Sequence, residues 1–195
     1  MTQSENTPLT TRCEISLPEW APGFVSSWQG DLDSIEGRMD LAIALSRQNV
    51  SSSHGGPFGA VVFDLDERRV LGVGVNMVTR LHLSCAHAEM VAVSLAQHAI
   101  GSWNLSAGRS VELSTSCEPC AMCFGAVPWS GVRRLVCAAR KEDAEAAGFD
   151  EGDKPEDWRR SLAARGIEVI CDVLRDEAAE VFRLYQEGSG EIYNP

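Results

Sequence analysis

From residue 58 onward the chain alternates β-rich runs with helical stretches, and that alternation confines it to an α/β architecture. Gly55-Gly56-Pro57 ends a helical stretch, Ile35–Val50, in which Met39, Leu41, Ala42, Leu45 and Val50 make an apolar stripe. Phe58–Leu65 and Val70–Met77 follow, joined by Asp66-Glu67-Arg68, and this spacing predicts a hairpin. Next come a helix at Ala86–Ala99 ended by Gly101, a strand at Ser110–Thr115, and a helix from Cys117–Pro119 to Val127 that Pro128 stops. A strand at Arg134–Ala139 leads into the Ala-rich Glu142–Ala147, closed by Gly148. A helix at Pro155–Ala164, a strand at Ile167–Cys171 and a helix at Arg175–Gln186 complete the body. The order predicts a three-layer α/β/α domain whose central mixed sheet is largely parallel after the hairpin, with helices on both faces. Residues 1–34, with scattered Trp20, Phe24 and Trp28, read as an extended N-terminal arm. Residues 35–187 form the domain, and residues 188–195 a tail of turn composition.

The charge limits the partners. Acidic residues outnumber basic ones 28 to 17, for a formal net charge of −11. Phosphate backbones are bound by Lys and Arg, so nucleic acid is disfavoured, and Arg133-Arg134 and Arg159-Arg160 read as solvated element ends. No apolar run approaches the ~20 residues of a membrane helix. Met1–Arg12 is polar without an apolar h-region, so no secretory leader and a cytoplasmic location are expected. Seven cysteines, an odd number, argue for reduced thiols over a disulfide framework.

Two short motifs carry chemistry together that neither carries alone. His87-Ala88-Glu89 opens one helix, and Pro119-Cys120-Ala121-Met122-Cys123 opens another. Cys120 and Cys123 are three apart in a first helical turn and so share a face. One imidazole and two thiolates give a cation three protein ligands and leave a fourth tetrahedral position for water, the mark of catalytic zinc. Glu89, two residues past the imidazole, is placed to move a proton from that water to a substrate ring nitrogen. His-x-Glu with Pro-Cys-x-x-Cys is the signature of zinc deaminases.

The surrounding residues extend the match. Gly55-Gly56-Pro57-Phe58-Gly59-Ala60, Ala86-His87-Ala88-Glu89, Thr115-Ser116-Cys117-Glu118-Pro119-Cys120, Cys123-Phe124-Gly125-Ala126 and Ala147-Gly148-Phe149-Asp150-Glu151 resemble bacterial guanine deaminases of the cytidine-deaminase superfamily. The likeness spans about residues 35–193. It implies zinc on His87, Cys120 and Cys123, with Glu89 as first proton shuttle and Glu151 as a second acid facing the leaving amine. It further implies that Asn76 hydrogen-bonds the base, that Ala88 contacts it, and that Phe58, Trp129 and Phe149 pack around it. Cys117 matches a cysteine that does not bind metal, and a buried or outer-sphere thiol is expected for it and for Cys85. In such enzymes the C-terminal segment covers the partner subunit's site, which assigns Tyr193 to a lid and implies a homodimer.

The expected reaction is hydrolytic deamination of a small amino-purine, guanine to xanthine and ammonia. Guanosine, cytosine or an aminotriazine such as ammeline would serve the same chemistry. A tRNA adenosine deaminase would share the zinc motif but needs a basic groove. Outside deamination stand a non-catalytic zinc module and a thiol redox protein using Cys120 and Cys123, neither of which needs Glu89.

Overall fold

In the computed structural model, which describes residues 9–194, the strands fall where the alternation predicts them. They are β1 Gly59–Asp64, β2 Arg69–Val75, β3 Val111–Cys117, β4 Arg134–Ala139 and β5 Glu168–Ile170, forming one sheet in the order β2-β1-β3-β4-β5. β1 pairs antiparallel with β2 and β3, while β3–β4 and β4–β5 are parallel. The helices are α1 Trp20–Ser26, α2 Ile35–Ser51, α3 Val78–Leu81, α4 Ala88–Ile100, α5 Ala121–Ser130, α6 Lys141–Ala146, α7 Trp158–Ala163 and α8 Arg175–Glu187.

Because side chains alternate across a strand, the sheet feeds two cores. Val61 on β1 packs with Met39, Leu41 and Leu45 of α2 and Val181 and Phe182 of α8. Ala60 and Val62 face the other way, toward Ala88, Ala92 and Ala96 of α4, Val127 of α5 and Leu162 of α7. Each fully buried large aliphatic contributes about 1.5–3 kcal/mol, so these two faces supply most of the driving force. On the first face, Arg38 of α2 donates to both carboxylate oxygens of Glu112 on β3, at 2.6 and 3.0 Å. That pair is dry, and losing Glu112 would strand the buried Arg38 charge.

Helix α4 lies unusually near β2. A Cβ on Gly74 would stand 2.0 Å from Ala88 O and 2.6 Å from Ala92 N, so only glycine permits this approach. The contact fixes the depth at which α4 begins, and with it the position of His87.

Three expectations need correction. The N-terminal arm is not simply extended: Trp20–Ser26 is helical, with Ala21 fully buried and Trp20 edge-on to Phe24 at 5.8 Å. Seven residues are too few to display a helical period. Pro128 does not stop α5, which runs to Ser130 and ends at Gly131 with φ +88°. Proline in a last turn forfeits one hydrogen bond, whereas left-handed glycine terminates the helix. Pro119 lies two residues before the start of α5 at Ala121, whose N-cap is Cys120. The short α3 was also not foreseen. Among the described residues, no helix is long and apolar enough to cross a membrane.

Candidate active site

Two helix starts meet at one end of the sheet. His87 is the N-cap of α4 and Cys120 the N-cap of α5, both in extended backbone conformation. The loop before α4 is held by Met77 N donating to Ala86 O at 2.9 Å, and that before α5 by Glu118 N donating to Ala139 O at 2.8 Å. His87 Nδ1 and Cys120 Sγ lie 3.5 Å apart, and with Cys123 the three ligand atoms are all within 4.8 Å of one another. Among the described residues, this is the grouping of His, Cys, Asp and Glu side chains that could hold a metal ion.

The electrostatics favour a cation here. A hydrogen bond from Cys123 stabilises the Cys120 thiolate against burial, with help from His87, and its pKa drops to about 4. The Cys123 thiol is pushed up by that same interaction and by burial. Burial opposes the His87 imidazolium, but the Cys120 thiolate and nearby carboxylates outweigh it and raise its pKa. Two helix N-termini add partial positive charge that suits thiolates. A soft set of one imidazole nitrogen and two sulfurs fits zinc.

Two carboxylates flank the triad. Glu89 is 8% exposed, and burial followed by the Cys120 charge raises its pKa. Glu151 is 5% exposed, and burial, then Cys120 and Glu89, push it up to about 8. Its Oε2 is buried with no hydrogen-bond partner among the described residues. Both line a cavity of about 310 Å³ with Phe58, His87, Cys120, Phe149 and Tyr193. Drug-sized and smaller ligands are commonly held in pockets of this order.

The expected base contacts divide. Phe58 and Phe149 meet edge-to-face at 4.9 Å on the cavity wall. Asn76 is buried behind the cavity lining, its N donating to Phe58 O at 3.1 Å and its Oδ1 accepting from Val78 N at 3.3 Å, and its Nδ2 lacks a partner among the described residues. Ala88 is fully buried, its methyl committed to the core, so only its backbone is left for a ligand.

Trp129 is not at the site: it is 78% exposed and lines a separate recess with Trp103, Arg133 and Arg165. Nine residues after Cys120, it lies about 13 Å along α5 and half a turn out of phase. The arginines read as solvated ends are also partly engaged, Arg134 with Glu112 and Glu168, and Arg159 with Glu118. Cys117 is buried, its thiol donating to Arg140 O at 3.7 Å, whereas Cys85 is exposed, against expectation.

The tail covers the cavity of its own chain. Tyr185 of α8 donates to Glu191 O at 2.6 Å, Asn194 Nδ2 donates to Gly148 O at 2.8 Å, and Asp150 N donates to Asn194 Oδ1 at 3.0 Å. Between these anchors Tyr193 sits 5.5 Å from the Phe149 ring. Sequence reasoning passed over Asn194, Glu118, Lys154 and the aromatic backing of Phe182 and Tyr185. Glu118 lines the cavity, and Lys154 donates to Pro119 O at 2.7 Å beside the cysteine motif. Adjacency to Tyr193 was the only signal for Asn194, whereas Glu118 stood inside the matched stretch around Cys120 without a role.

Comparison with known proteins adds four findings. A family model described as the cytidine and deoxycytidylate deaminase zinc-binding region matches residues 33–139. Guanine deaminase of Bacillus subtilis is 37% identical over 124 residues, 60% of this chain and 76% of that protein. The solved guanine deaminase of Nitrosomonas europaea is 43% identical with a TM-score of 0.85, covering 92% of this chain and 99% of that one. A solved mutant in complex with 8-azaguanine is 45% identical with a TM-score of 0.82, covering 91% and 98%.

Proposed function

The chain belongs to the cytidine and deoxycytidylate deaminase family, and from that premise we propose that it hydrolyses the C2 amine of guanine, giving xanthine and ammonia. The observation that carries this reading is the pair of buried carboxylates, Glu89 and Glu151, flanking the His87-Cys120-Cys123 triad in one small aromatic cavity. His87, Cys120 and Cys123 would hold zinc, which when bound would supply Lewis acidity to activate a water near neutral pH.

The chain's own groups supply the rest. Glu89 accepts a proton at a carboxylate oxygen and delivers it to the ring nitrogen of the base, a task helped by its raised pKa. Glu151, protonated near neutral pH, donates at Oε2 to the departing amine. Phe58 and Phe149 hold the ring faces, and the unpartnered Asn76 Nδ2 donates to the base carbonyl. The tail with Tyr193 is a lid that keeps bulk water out and leaves no groove for a polynucleotide. The chain works as a homodimer, a reading supported by the apolar, solvent-facing Met122 and Trp129 on α5.

The test is ammonia release from guanine, guanosine, cytosine, cytidine, adenine and ammeline, run on zinc-loaded protein, on chelator-treated protein and on Glu89→Ala. Guanine turnover that is lost in both controls, with zinc retained by Glu89→Ala, is expected. Turnover of another amine in place of guanine overturns the substrate assignment.

A further inference from the structure

Cys137 and Cys171 stand outside the site just described. Cys137 is fully buried on β4, and Cys171, partly exposed, follows directly on β5. The parallel register pairs Leu135 with Val169 and Val136 with Ile170, so one step further it sets Cys137 beside Cys171. The chain stays against β4 beyond that point, with Val173 N donating to Cys137 O at 3.2 Å. Neighbouring strands lie about 4.8 Å apart and facing residues share one side, within the ~4.4–6.8 Å Cα separation that a disulfide spans. Both side chains belong to one apolar cluster.

We propose that Cys137 and Cys171 form a redox-active dithiol that a low-molecular-weight disulfide closes to an intramolecular disulfide. The roles of the two sulfurs differ. Cys171 is partly exposed and its thiol is lowered by its neighbour Cys137 and then by the Arg159 charge, whereas Cys137 is fully buried and burial raises its thiol. Cys171 is thus the accessible attacking thiolate and Cys137 the resolving thiol. Cys171 Sγ attacks one sulfur of the disulfide RSSR and expels RS⁻, forming a mixed disulfide. Cys137 then loses its proton and attacks Cys171 Sγ, expelling the second RS⁻. Two protein thiols are oxidised by two electrons, and RSSR is reduced to two RSH once the thiolates take up the released protons. The bond ties the edge strand to β4 and closes the loop that carries Glu151 and α7.

The experiment uses zinc-loaded protein bearing Cys13→Ser and Cys85→Ser, which removes the exposed thiols. After incubation with glutathione disulfide, intact mass and peptide mapping are read without reductant. A mass lower by about 2 Da, a linked Cys137–Cys171 peptide and a Tm raised by about 5–10 °C, all reversed by dithiothreitol, are expected. Adding Cys137→Ser should trap glutathione on Cys171, and adding Cys171→Ser should leave the mass unchanged. A dithiol that persists, a stable glutathione adduct on Cys171 with Cys137 present, or a bond mapped to Cys120–Cys123 would overturn the proposal.

Discussion

The backbone carbonyl of Glu151 accepts a hydrogen bond from Ala121 N at 2.9 Å, tying the loop after α6 to the first residue of the helix that carries Cys123. The second carboxylate is therefore held by its main chain, and its side chain is left free for chemistry. Glu151→Gln keeps that anchor while removing the carboxyl to which proton donation is assigned. Turnover of guanine should fall by about 10²-fold or more, with Tm and zinc content unchanged. A rate within threefold of the parent would show that Glu151 carries no proton.

The tail can be separated from the chemistry. Asn194→Ala removes both hydrogen bonds to the Gly148–Asp150 segment, each worth about 1 kcal/mol net. A lid loosened to this degree should lower kcat/KM about tenfold, mainly through KM, while zinc stays bound. Steady-state kinetics with parallel metal analysis decide the matter. Unchanged KM would mean that the tail is packing and not lid.

Gly74 sets the depth of α4. A methyl there would press on Ala88 O at 2.0 Å, so Gly74→Ala must push the helix off the sheet. About 1–3 kcal/mol of stability should be lost, and Tm should drop by roughly 3–10 °C. Because His87 caps the same helix, zinc should also be released at lower chelator concentration. A normal Tm with normal metal retention would refute the packing argument.

Acid stability should depend on Asp143. Hydrogen bonds from Arg175 hold its carboxyl below the usual range against the effect of burial, aided by Arg140 N at 2.8 Å, and so link α6 to α8. A lowered folded-state pKa adds stability above the ordinary carboxylate value of about 3.9 and loses it as pH falls through the folded value. Asp143→Asn should therefore be less stable than the parent at neutral pH, with the gap narrowing below about pH 4. Urea unfolding at several pH values measures it, and a gap independent of pH would exclude the charge as the cause.

The order of strands and helices, the Cys120–Cys123 face and the His87–Glu89 helix start were legible in the sequence because each depends on local spacing, while the meeting of the two helix starts is a product of the fold. Cys120 and Cys123 share a helix start whatever surrounds them, and an apolar run such as Arg134–Ala139 is a strand by composition and length. Glu151 and Phe149 were legible only through resemblance, since their stretch by itself reads as a solvated acidic loop. The fold buries them by folding that loop against α5 and under the tail. Trp129 failed because a motif match carries no rotational phase: nine residues of helix turned it to solvent. Asn194, Lys154 and the Cys137–Cys171 pair depend on contacts between segments far apart in the chain. Sequence determined which chemistry the two helix starts can hold; only tertiary packing decided what surrounds it, because burial, register and helix phase are properties of the assembled layers.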